Sequence, residues 1–169
     1  MRILTYPDKI LSEGVAATDL TWPNSIKALI DNMRETMRNV QGIGLAAPQV
    51  GVRERIIIIK NEKFGDCISM IDPYITYSEG KSVEEEACLS VPGYSAKVER
   101  ASAIGVKYYD ISESQTLARP FGGRDAIVIQ HEIDHLDGIL FIDHLSHLKR
   151  NMFERKYKKI MKLRRNNTY

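Results

Sequence analysis

His131-Glu132-Ile133-Asp134-His135 closes an apolar run that opens around Arg124, and its reading organises the rest of the chain. On an α-helix, residues four apart lie one above the other on the same face. His131 and His135 at that spacing can both reach one metal ion. Glu132 is about 100° further round the helix, where it acts on water rather than serving as a third ligand. Ala126, Ile127, Val128 and Ile129 are apolar on nearly all sides, so the helix is expected to be buried and to stop at Gly138. Two histidines and a glutamate in such a helix are costly unless something binds them. The same pattern on an exposed helix would mean nothing; the apolar lead-in favours a metal.

A chain of 169 residues, 43% hydrophobic and 27% charged, suits one soluble domain with its own core. No apolar stretch approaches a membrane span, and Met1 to Pro7 has no signal-peptide layout. Cys67 and Cys88 are too few and too far apart for a disulfide scaffold, so the cytoplasm is the expected compartment. The net charge of +2 is unevenly spread. Lys149 to Arg165 holds nine Lys/Arg against Glu154, a local +8 that leaves −6 for the remainder.

Asn24-Ser25 is expected to cap a helix carrying Ile26, Leu29, Ile30, Met33, Met37 and Val40 at amphipathic spacing, with Gly42 as its terminator. Gly42 to Gly51 combines three glycines, a proline and small apolar side chains, which reads as an inward-packing loop around Gln49. It lacks the lysine of a phosphate cradle. Four consecutive isoleucines within Arg55 to Lys60 read as a buried strand. Cys67 to Ser78 reads as a strand pair around Asp72-Pro73, and Pro92-Gly93 as a turn. Ile104, Val106 and Tyr108 alternate as in a half-buried strand, with Gln115 to Leu117 returning after a polar hairpin loop. Antiparallel strands between two or three helices make the class α+β.

A catalytic site of this kind needs a third protein ligand. In one metalloprotease group it is a histidine six residues after the second, but Phe141 stands there. Another group uses a glutamate about twenty residues on; Glu154 lies 19 after His135, inside the basic run, where pairing with Lys158 is its expected role. Cys88 is the other candidate, its thiolate a strong ligand for a borderline metal. A lone cysteine is ordinarily a small buried hydrophobe.

Gly42-Ile43-Gly44-Leu45-Ala46-Ala47-Pro48-Gln49, Glu86-Ala87-Cys88-Leu89-Ser90 and Gln130-His131-Glu132-Ile133-Asp134-His135 resemble, in that order, the three motifs of the peptide deformylases. The likeness spans most of the chain, including Ile3 to Asp8. It implies an α+β fold in which antiparallel sheets pack around a central helix carrying the histidines, over a single domain 1–169 with a basic C-terminal helix at 144–165. It implies that Cys88, His131 and His135 bind one divalent metal, Fe(II) in the cell, with Zn, Ni or Co able to substitute. It implies Glu132 as general base and acid, Gln49 and the Leu89 backbone N–H as donors to the oxyanion, and Ile43, Gly44 and Ile127 around the substrate, Gly44 letting the backbone approach it. The implied reaction is release of formate from N-formylmethionyl nascent chains by a monomeric enzyme. The alternative is a metallopeptidase with Glu154 as third ligand.

Glu86 by the same likeness pairs with an arginine, Arg100 being the candidate, whereas His144 and His147 are expected at the surface. Two positions depart from the family pattern. Ala87 replaces a glycine, which strains the chain if φ is positive there. Arg124-Asp125 stands where apolar residues are usual, Asp125 suiting a helix N-terminus. From His144 onward, an apolar stripe through Leu145, Leu148, Met152, Phe153, Tyr157, Ile160 and Met161 leaves a basic face that reads either as a solvated surface or as a docking face for ribosomal RNA.

Overall fold

The computed structural model describes residues 1–61 and 67–166. Seven strands and three helices follow in the order α1 (Pro23–Asn39), β1 (Gly44–Ala46), β2 (Ile56–Lys60), β3 (Cys67–Glu79), β4 (Ser82–Ala87), β5 (Ser95–Arg100), β6 (Ala103–Asp110), β7 (Gln115–Gly122), α2 (Gly123–Leu136) and α3 (His147–Asn166). The sheets are antiparallel: one of five strands ordered β1-β2-β3-β6-β7, the other β4 paired with β5. The class is α+β.

β2 explains why four isoleucines stand in a row. Successive side chains of a strand point to opposite faces, and both faces of β2 are covered. Ile57 and Ile59 pack with Ala126, Ile129 and Ile133 of α2, whereas Ile56 and Ile58 pack with Ile30, Met33 and Met37 of α1. The third cluster joins β5 to α3 through Val98, Phe141, Phe153 and Tyr157, and Cys88 lies within it.

Local chemistry moves several boundaries. α1 begins at Pro23, with Trp22 rather than Asn24 or Ser25 at the cap, because proline's fixed φ presets a first helical turn. It ends at Asn39, and Gln41 (φ 54°), not Gly42, makes the left-handed turn. The glycine-rich stretch is not a loop throughout. Gly44 to Ala46 satisfy their backbone groups against Ile57 to Ile59, and Ala47–Val50 winds into a 3-10 turn. Cys67 to Glu79 is one strand, not two. Pro73 has no N–H for the ladder, so the chain bulges there with Asp72 at φ 49° and its carboxylate accepting from Thr18 N–H at 2.8 Å. β7 extends to Gly122 and tolerates Pro120 because it is an edge strand. The C-terminal helix starts at His147, after a 3-10 turn over Phe141–His144.

α2 is held at three points. Asp125, in its first turn, accepts from Asn61 Nδ2 at 2.6 Å. In its middle, Gln130 both accepts from Ala101 N–H (3.0 Å) and donates to Ala101 O (2.9 Å), clipping the helix to the β5–β6 connection. At its end, Arg55 reaches Asp137 Oδ1 (2.7 Å) and Leu136 O (3.4 Å), a cation at the negative pole of the helix. Gly138 follows at φ 73°, where a side chain would also meet the Ser12–Glu13 backbone. Truncating Ile57, on the α2 side, is expected to cost about 2–5 kcal/mol through the cavity it leaves. Urea denaturation of Ile57→Ala at unchanged m-value checks this.

Candidate metal centre

Cys88 follows the last residue of β4, and the turn after it places its sulfur against α2. Cys88 Sγ, His131 and His135 present ligand atoms all within 4.8 Å of one another, the group of this kind found among the described residues. The sulfur lies 3.2 Å from His135 Nε2. Ligands bound at about 2.0–2.3 Å to a tetrahedral ion stand roughly 3.3–3.6 Å apart, so the Cys88–His135 pair is near that spacing and the set of three lies within 4.8 Å.

His131 turns the same way for a stated reason. Its Nδ1 is 2.8 Å from Glu86 Oε2. Burial would raise the Glu86 pKa, but the hydrogen bonds from His131 and Arg100, with the charges behind them, outweigh it and hold the carboxyl at about 2. Glu86 is therefore an acceptor, Nδ1–H donates, and Nε2 keeps its lone pair for the centre. Burial also opposes a charge on His131 itself, yet Cys88, Glu86 and Glu132 raise its pKa well above the usual value. His135 goes the other way, its pKa pushed far down first by burial, so it offers a neutral nitrogen.

The Glu86 carboxylate is anchored in turn. Arg100 Nε donates to Glu86 Oε1 at 2.7 Å and Arg100 Nη1 to Asp134 Oδ2 at 2.6 Å. The Glu86–Arg100 pairing is therefore real, across the two strands of the smaller sheet. Asp134 is a member that the sequence reading missed: it pairs with Arg100, and His144, exposed as expected, places its Nε2 2.7 Å from Asp134 Oδ2. Asp134 falls three residues after His131, which places it on the same side of the helix as Arg100; that spacing was the available signal.

Glu132 is buried, with Oε2 lacking a hydrogen-bond partner among the described residues. Burial pushes its pKa up to about 7. Gln49 lines the same cavity as Glu132. Its Oε1 accepts from Ala46 N–H at 2.8 Å, which turns the amide nitrogen toward Ser90 Oγ (3.1 Å) and Cys88 Sγ (3.5 Å). Glu132, Gln49 and Cys88 line a cavity of about 950 Å³ together with Ile43, Gly44, Leu89, Ile127 and Val128. The sequence-derived site residues thus share one cavity wall or its floor, His135 lying just behind it.

The departures from the family pattern are accommodated. Ala87 is exposed, pairs with Ser95 and has no positive φ, so its methyl group strains nothing. Arg124 is exposed at the cavity mouth. Glu154, by contrast, is not at the centre. Its carboxylate accepts from Tyr6 Oη at 2.5 Å and meets Arg150 Nε at 3.4 Å on α3. Neither a third-ligand role nor a pair with Lys158 is what this geometry provides, because Arg150 and Tyr6 already occupy that carboxylate.

A family model described as polypeptide deformylase matches residues 1–151. A peptide deformylase of Thermodesulfovibrio yellowstonii is 44% identical over 161 residues, covering 94% of this chain and 96% of that protein. The crystal structure of a peptide deformylase from Legionella pneumophila superposes with a TM-score of 0.88 at 39% identity, covering 96% of each chain. A class I type b peptide deformylase from Acinetobacter baumannii, crystallised with Met-Ala-Ser bound, superposes with a TM-score of 0.79 at 32% identity, covering 86% of this chain and 98% of that one.

The depressed Glu86 pKa makes a pH prediction. A carboxyl lowered on folding contributes stability that is complete above its ordinary value of 4.5 and is lost as pH falls toward 2. The denaturation midpoint should therefore drop between pH 5 and pH 3. In Glu86→Gln that part of the drop should vanish, from a lower starting stability.

Proposed function

Because this chain belongs to the polypeptide deformylase family, we propose that Cys88, His131 and His135 hold one divalent ion, Fe(II) in the cell, and that Glu132, Gln49 and Leu89 carry the reaction around it. The family's reaction removes the N-formyl group from nascent peptides. What supports the assignment of residues is the convergence of the three ligand atoms within 4.8 Å, with the unpartnered Glu132 carboxyl buried in the same cavity. Such an ion supplies Lewis-acid chemistry, turning water into a nucleophile near neutral pH and polarising the formyl oxygen.

The chain's own groups do the rest. The formyl C–N bond is replaced by a C–O bond from water, so a proton must leave the water and reach the departing nitrogen. Glu132 takes it and returns it to the leaving nitrogen. Formate and a free amino terminus result. Negative charge gathers on the formyl oxygen between these events. The Gln49 amide, aimed by the Ala46 N–H before any substrate arrives, and the Leu89 backbone N–H donate to that oxygen. Ile43 and Ile127 receive the methionine in the apolar part of the cavity, where the Gly44 main chain, which a methyl group would leave in place, runs alongside. The Acinetobacter baumannii relative with Met-Ala-Ser bound supports a peptide in this cleft.

Formyl-Met-Ala-Ser hydrolysis by anaerobically purified protein is the test. Glu132→Ala should lose about two to four orders of magnitude in formate release while keeping its metal. Cys88→Ala should lose the metal, and Glu154→Ala should keep both metal and turnover. Retained turnover in Glu132→Ala overturns the assignment.

We further propose that α3 docks on ribosomal RNA. Leu148, Met152 and Leu163 are exposed on it, and Lys158, Lys159 and Lys162 add charge beside them. Phe153 and Tyr157 face inward and belong to the core, so the test is charge reversal rather than truncation. Lys158→Glu with Lys162→Glu should abolish ribosome co-sedimentation at low salt and leave turnover of the tripeptide intact.

A further inference from the structure

Gly44 occupies an ordinary extended conformation in β1, with no positive φ, so the backbone does not call for glycine there. Space does. A Cβ at this position would stand 2.9 Å from Glu132 Cγ, 2.8 Å from Cδ and 2.3 Å from Oε1. Real Cβ atoms essentially never approach below 3.0 Å. The Glu132 side chain therefore lies flat against the main chain of β1, in the volume that any other residue's side chain would fill.

We infer that Gly44 is a positioning residue for Glu132. This rests on the reading of Glu132 as the group that moves the proton. The carboxylate is not steered by hydrogen bonds alone, since Oε2 has no partner among the described residues. Its placement depends on the wall behind it. That wall cannot retreat: β1 pairs through Gly44 with Ile59, Lys60 N–H holds Ile43 O at 2.8 Å, and Leu45 and Ala46 are fully buried in two separate clusters. α2 cannot retreat either, being clipped through Gln130. The flexible partner is the glutamate, which would swing into the open cavity. A methyl group at this position costs little stability and takes the carboxylate away from the reacting atoms.

The test is a double-mutant cycle on the metal-loaded enzyme. Gly44→Ala should keep its metal, melt within about 2 °C of the native protein, and lose kcat by about a hundredfold with KM little changed. A crystal structure of this variant should show Glu132 in a different rotamer. In the Glu132→Ala background, adding Gly44→Ala should remove no further activity, because the group it displaces is gone. Native kcat in Gly44→Ala, or an equal loss in both backgrounds, overturns the inference. If Gly44→Ala does not fold, the double variant should fold, and failure of both places the clash elsewhere and overturns it too. Failure of the underlying reading shows separately, as turnover retained in Glu132→Ala alone.

Discussion

The structure depends on how α2 carries polar groups into an apolar interior. Its inward stripe of Ala126, Ile129, Ile133 and Leu136 is ordinary core, but Glu132 and His135 are buried with it and His131 is mostly covered beside them. Buried charge is tolerated only when paired and hydrogen-bonded. Arg100 does this for two carboxylates at once, Glu86 on β4 and Asp134 on α2, and is itself buried. Two acids share one guanidinium, and Glu132 and the Cys88 sulfur stand close by.

That arrangement ties stability to chemistry. The contacts that make His131 a good ligand are the same ones that lock the small sheet to α2: His131 to Glu86, Glu86 to Arg100, Arg100 to Asp134. The larger sheet supplies the other wall. β1, an edge strand, brings Gly44 against Glu132 and leads into the turn that carries Gln49, whose oxygen is held by Ala46 three residues earlier. Glu132 on α2 and Gln49 after β1 thus each sit against a structural element, with the Gln49 oxygen held in place by the Ala46 N–H.

What could be read in the sequence followed the range of the forces involved. The histidine pair, the buried helix, the isoleucine strand and the alternating β6 are local periodicities, and all four are found where they were placed. Errors concentrate where tertiary pairing overrides local composition. The glycines of Gly42 to Gly51 read as a loop, yet three of those residues pair with β2. Asp72-Pro73 read as a break, yet the strand passes through it with a bulge. The meeting of Gln49 with Cys88 across 39 residues, and of Cys88 with His135 across 47, has no local signal at all. Cys88 was one of two candidate third ligands until family resemblance chose it. Nothing in one dimension tells that a side chain at Gly44 would meet that of Glu132, 88 residues on.

The central claim is that one sulfur and two imidazoles of this chain hold a single ion. X-ray absorption on the zinc-loaded protein tests it most directly. One sulfur at about 2.3 Å and two nitrogens at about 2.0–2.1 Å, with one ion per chain, is the predicted result. A shell without sulfur, or one in which protein carboxylate oxygen takes its place, would contradict the account.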